Sequence, residues 1–354
     1  MAQVISKLEL LQLSTSTTVS PIGIDCESGS SSLGDSVRKL KLALSVYFLI
    51  AVMVCLSSCG ESMITEYPLP TEMSIPQGIT AGPDGNVWFA ETHSDKIGKI
   101  TPSGKITEYP LRKQSSPYGV TAGPDGNIWF TEQLGNKIGR ITPSGKIAEY
   151  PVPTSGSLPQ CIAEGPDGNL WFTETNGNRT GKITPSGEIT EYPPLRAWAG
   201  LEGITTGPDG NLWFAEGQQN WIGMITPSGT VTEYNIPTAH SYPWGITAGP
   251  DGNVWFTEAA GKTGKITPSG TITEYPAPAG AGDICKGPDG NLWFTSGHNG
   301  SNVGRISQSG TVTEYSVPTV DCGPQGITAG PDGNVWFTER DGNKIGRIKI
   351  NTRH

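Results

Sequence analysis

The repeated part of this chain lacks basic runs, helical patterns and a cysteine framework. From about residue 63 onward no run of Lys or Arg occurs, and the chain carries a net charge of -9. Both features argue against nucleic acid as a partner. The three cysteines of this part, Cys161, Cys285 and Cys322, have no metal-ligand spacing, so they predict buried thiols. No stretch shows the apolar spacing and caps of a helix.

The chain also lacks an apolar run long enough to span a membrane comfortably. Its longest run, Leu42–Leu56, follows Arg38, Lys39 and Lys41 and precedes Leu-Ser-Ser-Cys59, as expected of a secretory signal. The ending resembles the lipobox of bacterial lipoproteins, which implies a lipid on Cys59 and an extracytoplasmic, membrane-anchored protein. A plain signal anchor is the alternative.

A signal normally begins near the first residue, so Val37 is an alternative start. The predicted organisation has four parts. These are a polar segment that is not translated if Val37 is the start (1–36), a lipoprotein-type signal (37–59), a repeat domain (60–350) and a short tail (351–354).

One sequence dominates the rest of the chain: Gly-Pro-Asp-Gly-Asn-Ile-Trp-Phe-Thr-Glu at residues 123–132. Near-copies recur at intervals of 38 to 43 residues, and such a period indicates a repeat architecture. They begin at Gly82, Gly165, Gly207, Gly249, Gly287 and Gly330.

Each repeat is predicted to form four short strands. In the repeat at 117–153, the strands are Gly119–Ala122, Asn127–Glu132, Lys137–Thr142 and Lys146–Tyr150, separated by Pro-Asp-Gly and Pro-Ser-Gly turns. Seven such units predict an all-β, seven-bladed β-propeller of four-stranded antiparallel blades. The second-strand Trp recurs in every copy, which predicts that it packs blade against blade.

The two ends of the repeat region predict how the ring closes. The last repeat stops after its third strand, Ile345–Ile350, whereas Met63–Pro70 is a fourth strand with no partners before it. Together they would complete the seventh blade, so that no sheet edge is left open.

Three segments carry a family resemblance. The chain has Gly-Ile-Thr-Ala-Gly-Pro-Asp-Gly-Asn-Val-Trp-Phe-Thr-Glu at 326–339, Asn-Lys-Ile-Gly-Arg-Ile-Thr at 136–142 and Gly-Lys-Ile-Thr-Glu-Tyr-Pro at 104–110. With these repeats it resembles the virginiamycin B lyase (streptogramin lyase) family over residues 63–350. The resemblance implies a seven-bladed propeller. It also implies an enzyme that opens the ester ring of streptogramin B antibiotics by elimination, with Mg²⁺ and a His base.

The residues implied as catalytic by this resemblance are all replaced. The base belongs to a Pro-His-Gly-Ile segment opening the last blade, where this chain has Gln325, and the second family His corresponds to Gly282. The two metal-binding Glu correspond to Gly323 and Arg340, and a first-blade Tyr corresponds to Gln77. An amide cannot remove a carbon-bound proton at neutral pH. We therefore expect binding of a ligand or partner rather than the family's lyase reaction.

Comparison among the repeats separates scaffold from site. Six copies end the second strand with Glu, and in five of them a Lys or Arg opens the third strand. This pairing predicts a cross-strand ion pair. The alternative for the ring of carboxylates is a metal site.

The residue predicted to precede each first strand varies most between copies, and with the loops after the second strands it would lie on one face around the axis. There the sequence predicts an aromatic and acidic ligand site, with a solvated rim as the alternative. Its members are Tyr118, Trp198, Glu202, Glu216, Trp221 and Trp244.

Two loop histidines, His93 and His298, occupy the same offset in the first and sixth repeats. They are candidates for a relocated catalytic base, so a Mg²⁺-dependent carbon–oxygen lyase remains an alternative. A lactonase-like hydrolase, which would need Glu, Asn and Asp metal ligands at the axis, is a further one. We expect a monomer that binds a small-molecule or envelope ligand and contacts membrane only through its lipid.

Overall fold

The computed structural model describes residues 63–193, 198–296 and 300–350. Within these ranges the chain forms seven four-stranded antiparallel sheets and no helix, which confirms the predicted all-β propeller. No helix in the described ranges is therefore long and apolar enough to cross a membrane. The predicted signal, Cys59 and the tail lie outside the described residues.

The strands are named first to fourth within a blade, and the first strand lies nearest the axis. The first strands are Pro76–Ala81, Pro117–Ala122, Pro159–Glu164, Leu201–Thr206, Pro243–Ala248, Ala281–Lys286 and Pro324–Ala329. The second strands are Val87–Glu91, Ile128–Glu132, Leu170–Glu174, Leu212–Glu216, Val254–Glu258, Leu292–Ser296 and Val335–Glu339. The third strands are Lys96–Ile100, Lys137–Ile141, Arg179–Ile183, Trp221–Ile225, Lys262–Ile266, Asn302–Ile306 and Lys344–Ile348. The fourth strands are Ile106–Pro110, Ile147–Pro151, Ile189–Glu191, Val231–Asn235, Ile272–Pro276, Val312–Ser316 and, for blade seven, Ile64–Pro68.

The ring closes as predicted. Ile64–Pro68 pairs antiparallel with Lys344–Ile348, with Ile64 opposite Ile348 and Pro68 opposite Lys344. Each first strand packs against the first strands of both neighbouring blades, and blade seven meets blade one in the same way.

The repeated motif provides the surroundings of one buried tryptophan in each blade. Trp88 is fully buried, and its indole Nε1 donates to Oδ1 of Asp84 at 3.0 Å, so the turn supplies the partner that a buried indole needs. A Cβ on Gly82 would lie 2.5 Å from the Trp88 ring, which explains the glycine that opens the motif. Tyr109 of the fourth strand stacks on the same ring with centroids 5.6 Å apart.

The core consists of the interfaces between blades, as predicted from the recurring tryptophan. Trp88 and Ile97 of blade one pack against Val120 and Phe130 of blade two, and the same arrangement recurs at the other six interfaces. Burying about 200 Å² per Trp contributes up to roughly 5 kcal/mol by area. A single blade could not bury this surface, so the whole ring must form.

The predicted ion pair at the second-strand Glu is wrong, although its register is right. Glu132 lies opposite Lys137, but the Lys137 ammonium binds Glu149 of the fourth strand at 2.6 Å. Glu132 is fully buried and forms no ion pair with Lys137. The lysine therefore reaches outward to the more exposed of two carboxylates, because a buried charge loses more hydration than the contact returns.

Candidate functional site

The variable residues lie inside the first strands rather than before them, because the strands begin two residues earlier than predicted, as at Pro117 instead of Gly119. In every blade the register with the second strand shifts between the first and fourth residues, as between Pro76 and Ile79. Bulges of this kind re-aim side chains and are common beside functional sites. The seven variable residues are Gln77, Tyr118, Gln160, Glu202, Trp244, Gly282 and Gln325.

The next residue of the strand is glycine in five blades because the first strands approach one another there. A Cβ on Gly78 would lie 2.5 Å from the carbonyl oxygen of Tyr118. Cys161 and Asp283 are the two exceptions. Both residues depart from the glycine of the other repeats in the sequence itself, and this departure is a signal that could have identified them.

These residues surround a cavity on the propeller axis. Its volume is about 140 Å³, which is smaller than the roughly 300–1,000 Å³ of drug-sized sites and therefore suits only a small ligand. A belt of Ile and Val side chains lines it, together with polar and aromatic groups. Those groups are Gln77, Tyr118, Cys161, Trp244, Asp283 and Gln325.

One wall of the cavity carries a polar group without a partner. The Gln77 side chain is 9% exposed, and its Oε1 accepts no hydrogen bond. Leaving a buried carbonyl oxygen unsatisfied costs about 1–3 kcal/mol. Gln325, in the adjacent blade, is similarly buried at 7% exposure.

Asp283 is held between blades six and seven. Its Oδ1 accepts from the Ile284 amide at 2.9 Å, and its Oδ2 accepts from the Ile327 amide of the next blade at 3.3 Å. Burial raises the pKa of Asp283 to about 6, against the lowering effect of those two amides. Burial also raises the pKa of Tyr118, with the charges of Glu202 and Asp283 acting in the same direction.

Blades two to four form a satisfied polar network beside the cavity. The Gln160 amide donates to Oε2 of Glu202 and accepts from Gln133 at 2.7 Å and from Thr175 at 3.3 Å. Burial raises the pKa of Glu202 to about 8, although the bond from Gln160 opposes this shift.

The residues at the family's metal positions do not fit Mg²⁺. The Arg340 guanidinium forms two bonds to the Asp341 carboxylate, at 3.1 and 2.9 Å. A Cβ on Gly323 would lie 2.3 Å from Oδ2 of Asp341, so this ion pair occupies the place of the family's other Glu. Across the described ranges, no three His, Cys, Asp or Glu side chains are arranged to hold a metal. The hydrolase alternative, which needs such ligands, gains no support.

The positions of the two family histidines carry an amide and a glycine in this chain. Gln325 lines the cavity but carries an amide. At Gly282, a Cβ would lie 2.8 Å from Oγ1 of Thr295, and that hydroxyl donates to the Gln325 carbonyl at 2.7 Å. A larger residue at Gly282 would therefore disturb the bond that joins blades six and seven.

The predicted aromatic and acidic patch is only partly assembled. Trp244 lines the cavity, and its carbonyl oxygen lies 2.7 Å from the Cβ position of Gly203, next to Glu202. Glu216 is fully buried at the end of a second strand and is not among the residues that line the cavity. It pairs in register with Trp221, which lies on the third strand and outside the cavity lining.

The remaining predicted residues lie away from the cavity or outside the described residues. Trp198 is 80% exposed on the connection into blade four. His93 is exposed in the loop after the second strand of blade one, where its amide donates to the Ser74 carbonyl at 3.0 Å. His298 and Cys59 lie outside the described residues. Cys322 is buried as predicted, whereas Cys161 and Cys285 are half-buried, and none of the three forms a disulfide.

Fold and cavity together define a seven-bladed propeller with a small axial cavity. Comparison with known proteins then places the chain. The virginiamycin B lyase family model matches residues 58–275 and 194–353. The chain belongs to the virginiamycin B lyase family.

Solved and curated relatives agree with this placement. A virginiamycin B lyase from Staphylococcus aureus is 41% identical, with a TM-score of 0.77 over 81% of this chain and 99% of that one. A catalytically inactive variant of that lyase, crystallised with quinupristin, matches equally well. The virginiamycin B lyase of Saccharopolyspora erythraea is 42% identical over 52 residues, so the match spans 15% of this chain and 17% of that relative.

Proposed function

We propose that this protein binds a small ligand in its axial cavity and does not catalyse streptogramin ring opening. The observation that carries the proposal is the composition of the cavity wall. Gln325 replaces the base implied by the family resemblance, and Gln77, nine-tenths buried, presents an unpartnered carbonyl oxygen. A cavity with buried, unsatisfied polar groups and aromatic walls is suited to binding.

The absence of a base supports the non-catalytic part of the proposal. An uncharged amide neither accepts a carbon-bound proton nor releases one at neutral pH. The Arg340–Asp341 ion pair places a cation where a metal-binding Glu is implied, so that side chain would repel Mg²⁺ rather than bind it.

A ligand-observed NMR screen of the full chain tests binding. We expect fragments that carry a hydrogen-bond donor to show saturation transfer, and the signal to be lost in Gln77→Leu and Trp244→Ala. Trp198→Ala is the matched control, because Trp198 is exposed outside the cavity lining. Hits that survive both cavity substitutions, or no hits at all, would overturn the proposal.

Lyase activity with a relocated base is a second candidate that only family membership favours. His93 is exposed and lies outside the cavity lining, which leaves His298 as the candidate base. If purified protein converts quinupristin, His298→Ala is expected to abolish conversion, whereas His93→Ala is expected to leave it unchanged. Conversion of quinupristin by the His298→Ala variant would exclude His298 as the relocated base.

We also propose an extracytoplasmic protein anchored by a lipid on Cys59. The proposal rests on the basic, apolar and Leu-Ser-Ser-Cys segments of residues 38–59. Mass spectrometry of the mature N-terminus is expected to find a diacylglyceryl group on Cys59. Cys59→Ala is expected to release the protein from membranes, and a non-lipidated mature Cys59 would exclude the anchor.

A further inference from the structure

The axial cavity holds a negative charge that has no counter-ion. Asp283 occupies the position at which five blades have glycine, and it is one of the residues that line the cavity. Its two hydrogen bonds come from the amides of Ile284 and Ile327, which are neutral donors. The interactions of Asp283 with other described residues include no Lys or Arg. A ligand that enters the cavity therefore meets an uncompensated carboxylate.

A second, independent group in the cavity also requires a donor. Oε1 of Gln77 is buried and accepts no hydrogen bond, although Gln77 lines the same cavity as Asp283. An N–H donor on the ligand would satisfy this oxygen. A carboxylate ligand would instead add a third acceptor to Oε1 of Gln77 and the Asp283 carboxylate. The polar groups of the cavity therefore discriminate by the sign of the ligand's charge.

The aromatic walls favour the same kind of ligand. Tyr118 and Trp244 belong to the lining, and an aromatic face attracts a cation within about 6 Å of its centre. The guanidinium whose charge acts on Tyr118 belongs to Arg340, and it is already paired with the Asp341 carboxylate. This side chain therefore does not supply the missing cation.

We propose that the axial cavity binds a protonated amine, with Asp283 as its counter-ion and Oε1 of Gln77 as a hydrogen-bond acceptor. The apolar belt and the two aromatic rings would receive the hydrocarbon part of the ligand. The inference rests on the proposed axial binding function and narrows its ligand to one chemical class.

Titration of the full chain at pH 7.5 with three matched probes tests this. Phenethylamine carries the cation, phenethyl alcohol is neutral and 3-phenylpropanoate is an anion. We expect the amine to bind about tenfold more tightly than the alcohol, which corresponds to about 1.4 kcal/mol. The anion is expected to bind more weakly than either.

Asp283→Asn keeps the size and one acceptor of the side chain but removes its charge. We expect it to abolish the preference for the amine and to leave alcohol binding unchanged. Gln77→Leu is expected to weaken amine binding without altering the two bonds that hold Asp283, so it tests the site if Asp283→Asn does not fold. Glu188→Gln, at an exposed turn residue, is the control acid.

The outcomes separate the two proposals. Equal binding of the three probes, or an amine preference that persists in Asp283→Asn, would overturn the amine inference and leave axial binding standing. Binding that is unaffected by Asp283→Asn, Gln77→Leu and Trp244→Ala alike would overturn both.

Discussion

The main packing residues inside the blades are the same in every repeat, whereas the residues at the axis of the ring differ from blade to blade. Inside the blades, every copy repeats the same buried Trp, the turn Asp that accepts from its indole and the glycine that makes room for it. At the axis, seven equivalent residues include Gln, Tyr, Glu, Trp and Gly. Repetition is required where blades pack, because each interface must bury the same surface. The residues at the axis are not subject to this requirement, so they can vary and determine which ligand binds.

Blade five contains a tryptophan of each kind and allows the sharpest test of this contrast. Trp255 is fully buried between blades, so Trp255→Ala is expected to cost about 3–5 kcal/mol in the free energy of unfolding. Trp244 lines the cavity, and Trp244→Ala is expected to change stability by less than about 1 kcal/mol while removing ligand binding. Denaturant unfolding of both variants gives the comparison, and equal losses would contradict it.

The buried second-strand glutamates predict that the blades are more stable in mild acid than in base. Burial, with the neighbouring Glu274 carboxylate adding to it, raises the pKa of Glu258 to about 8. An acid whose pKa is raised on folding holds its proton more tightly when folded. Its stabilising contribution is therefore complete below pH 4.5 and is lost as the pH rises through about 8. Glu174 and Glu339 behave in the same way.

We expect the melting temperature to fall between pH 5 and pH 8.5. Each titrating group changes the unfolding free energy by up to about 1.4 kcal/mol per pH unit. Glu258→Gln is expected to flatten part of this slope and to stabilise the protein at pH 8.5, whereas the exposed Glu188→Gln should not. Stability that rises over this interval, with Glu258→Gln destabilising at pH 8.5, would show that these carboxyls are stable as anions.

A smaller effect is expected from the hydroxyls that join neighbouring first strands. Thr131 Oγ1 accepts from the Gly119 amide at 2.9 Å and donates to the Gln160 carbonyl of the next blade at 2.7 Å. Blades one and four have Ala90 and Ala215 instead. Thr131→Ala is expected to cost about 1–2 kcal/mol, measured by chemical denaturation. No loss would mean that the ring does not depend on this bridge.

The scaffold could be predicted from the sequence because seven copies reveal which residues a blade cannot change. Ring closure by Ile64–Pro68 and burial of the tryptophans followed directly from the period. The ion pair was assigned to the wrong glutamate because each such repeat contains two candidates. Glu132 and Glu149 both accompany Lys137, and the sequence does not say which of them the lysine contacts. Only their depth in the blade distinguishes the two carboxylates, and a sequence does not give depth.

The site was predicted only in part for the same reason. Tyr118 and Trp244 line the cavity, and Glu202 lies beside it. Glu216 and Trp221 lie farther from the axis, and spacing along the chain does not reveal a residue's distance from the axis. Asp283 departs from the glycine of its position in five repeats, and that departure is present in the sequence. The reason for the glycine, which is the close approach of neighbouring first strands, becomes visible only when the ring is assembled.

Incubation of the full chain with quinupristin and Mg²⁺, followed by chromatography and mass spectrometry, tests the central claim most directly. Opening by elimination leaves the mass unchanged and shifts the retention, whereas hydrolysis adds one water. With Gln325 in place of the base and Arg340 in place of a metal ligand, we predict that quinupristin is recovered intact at high protein concentration. Conversion to an isomer of equal mass that requires the protein would contradict the account.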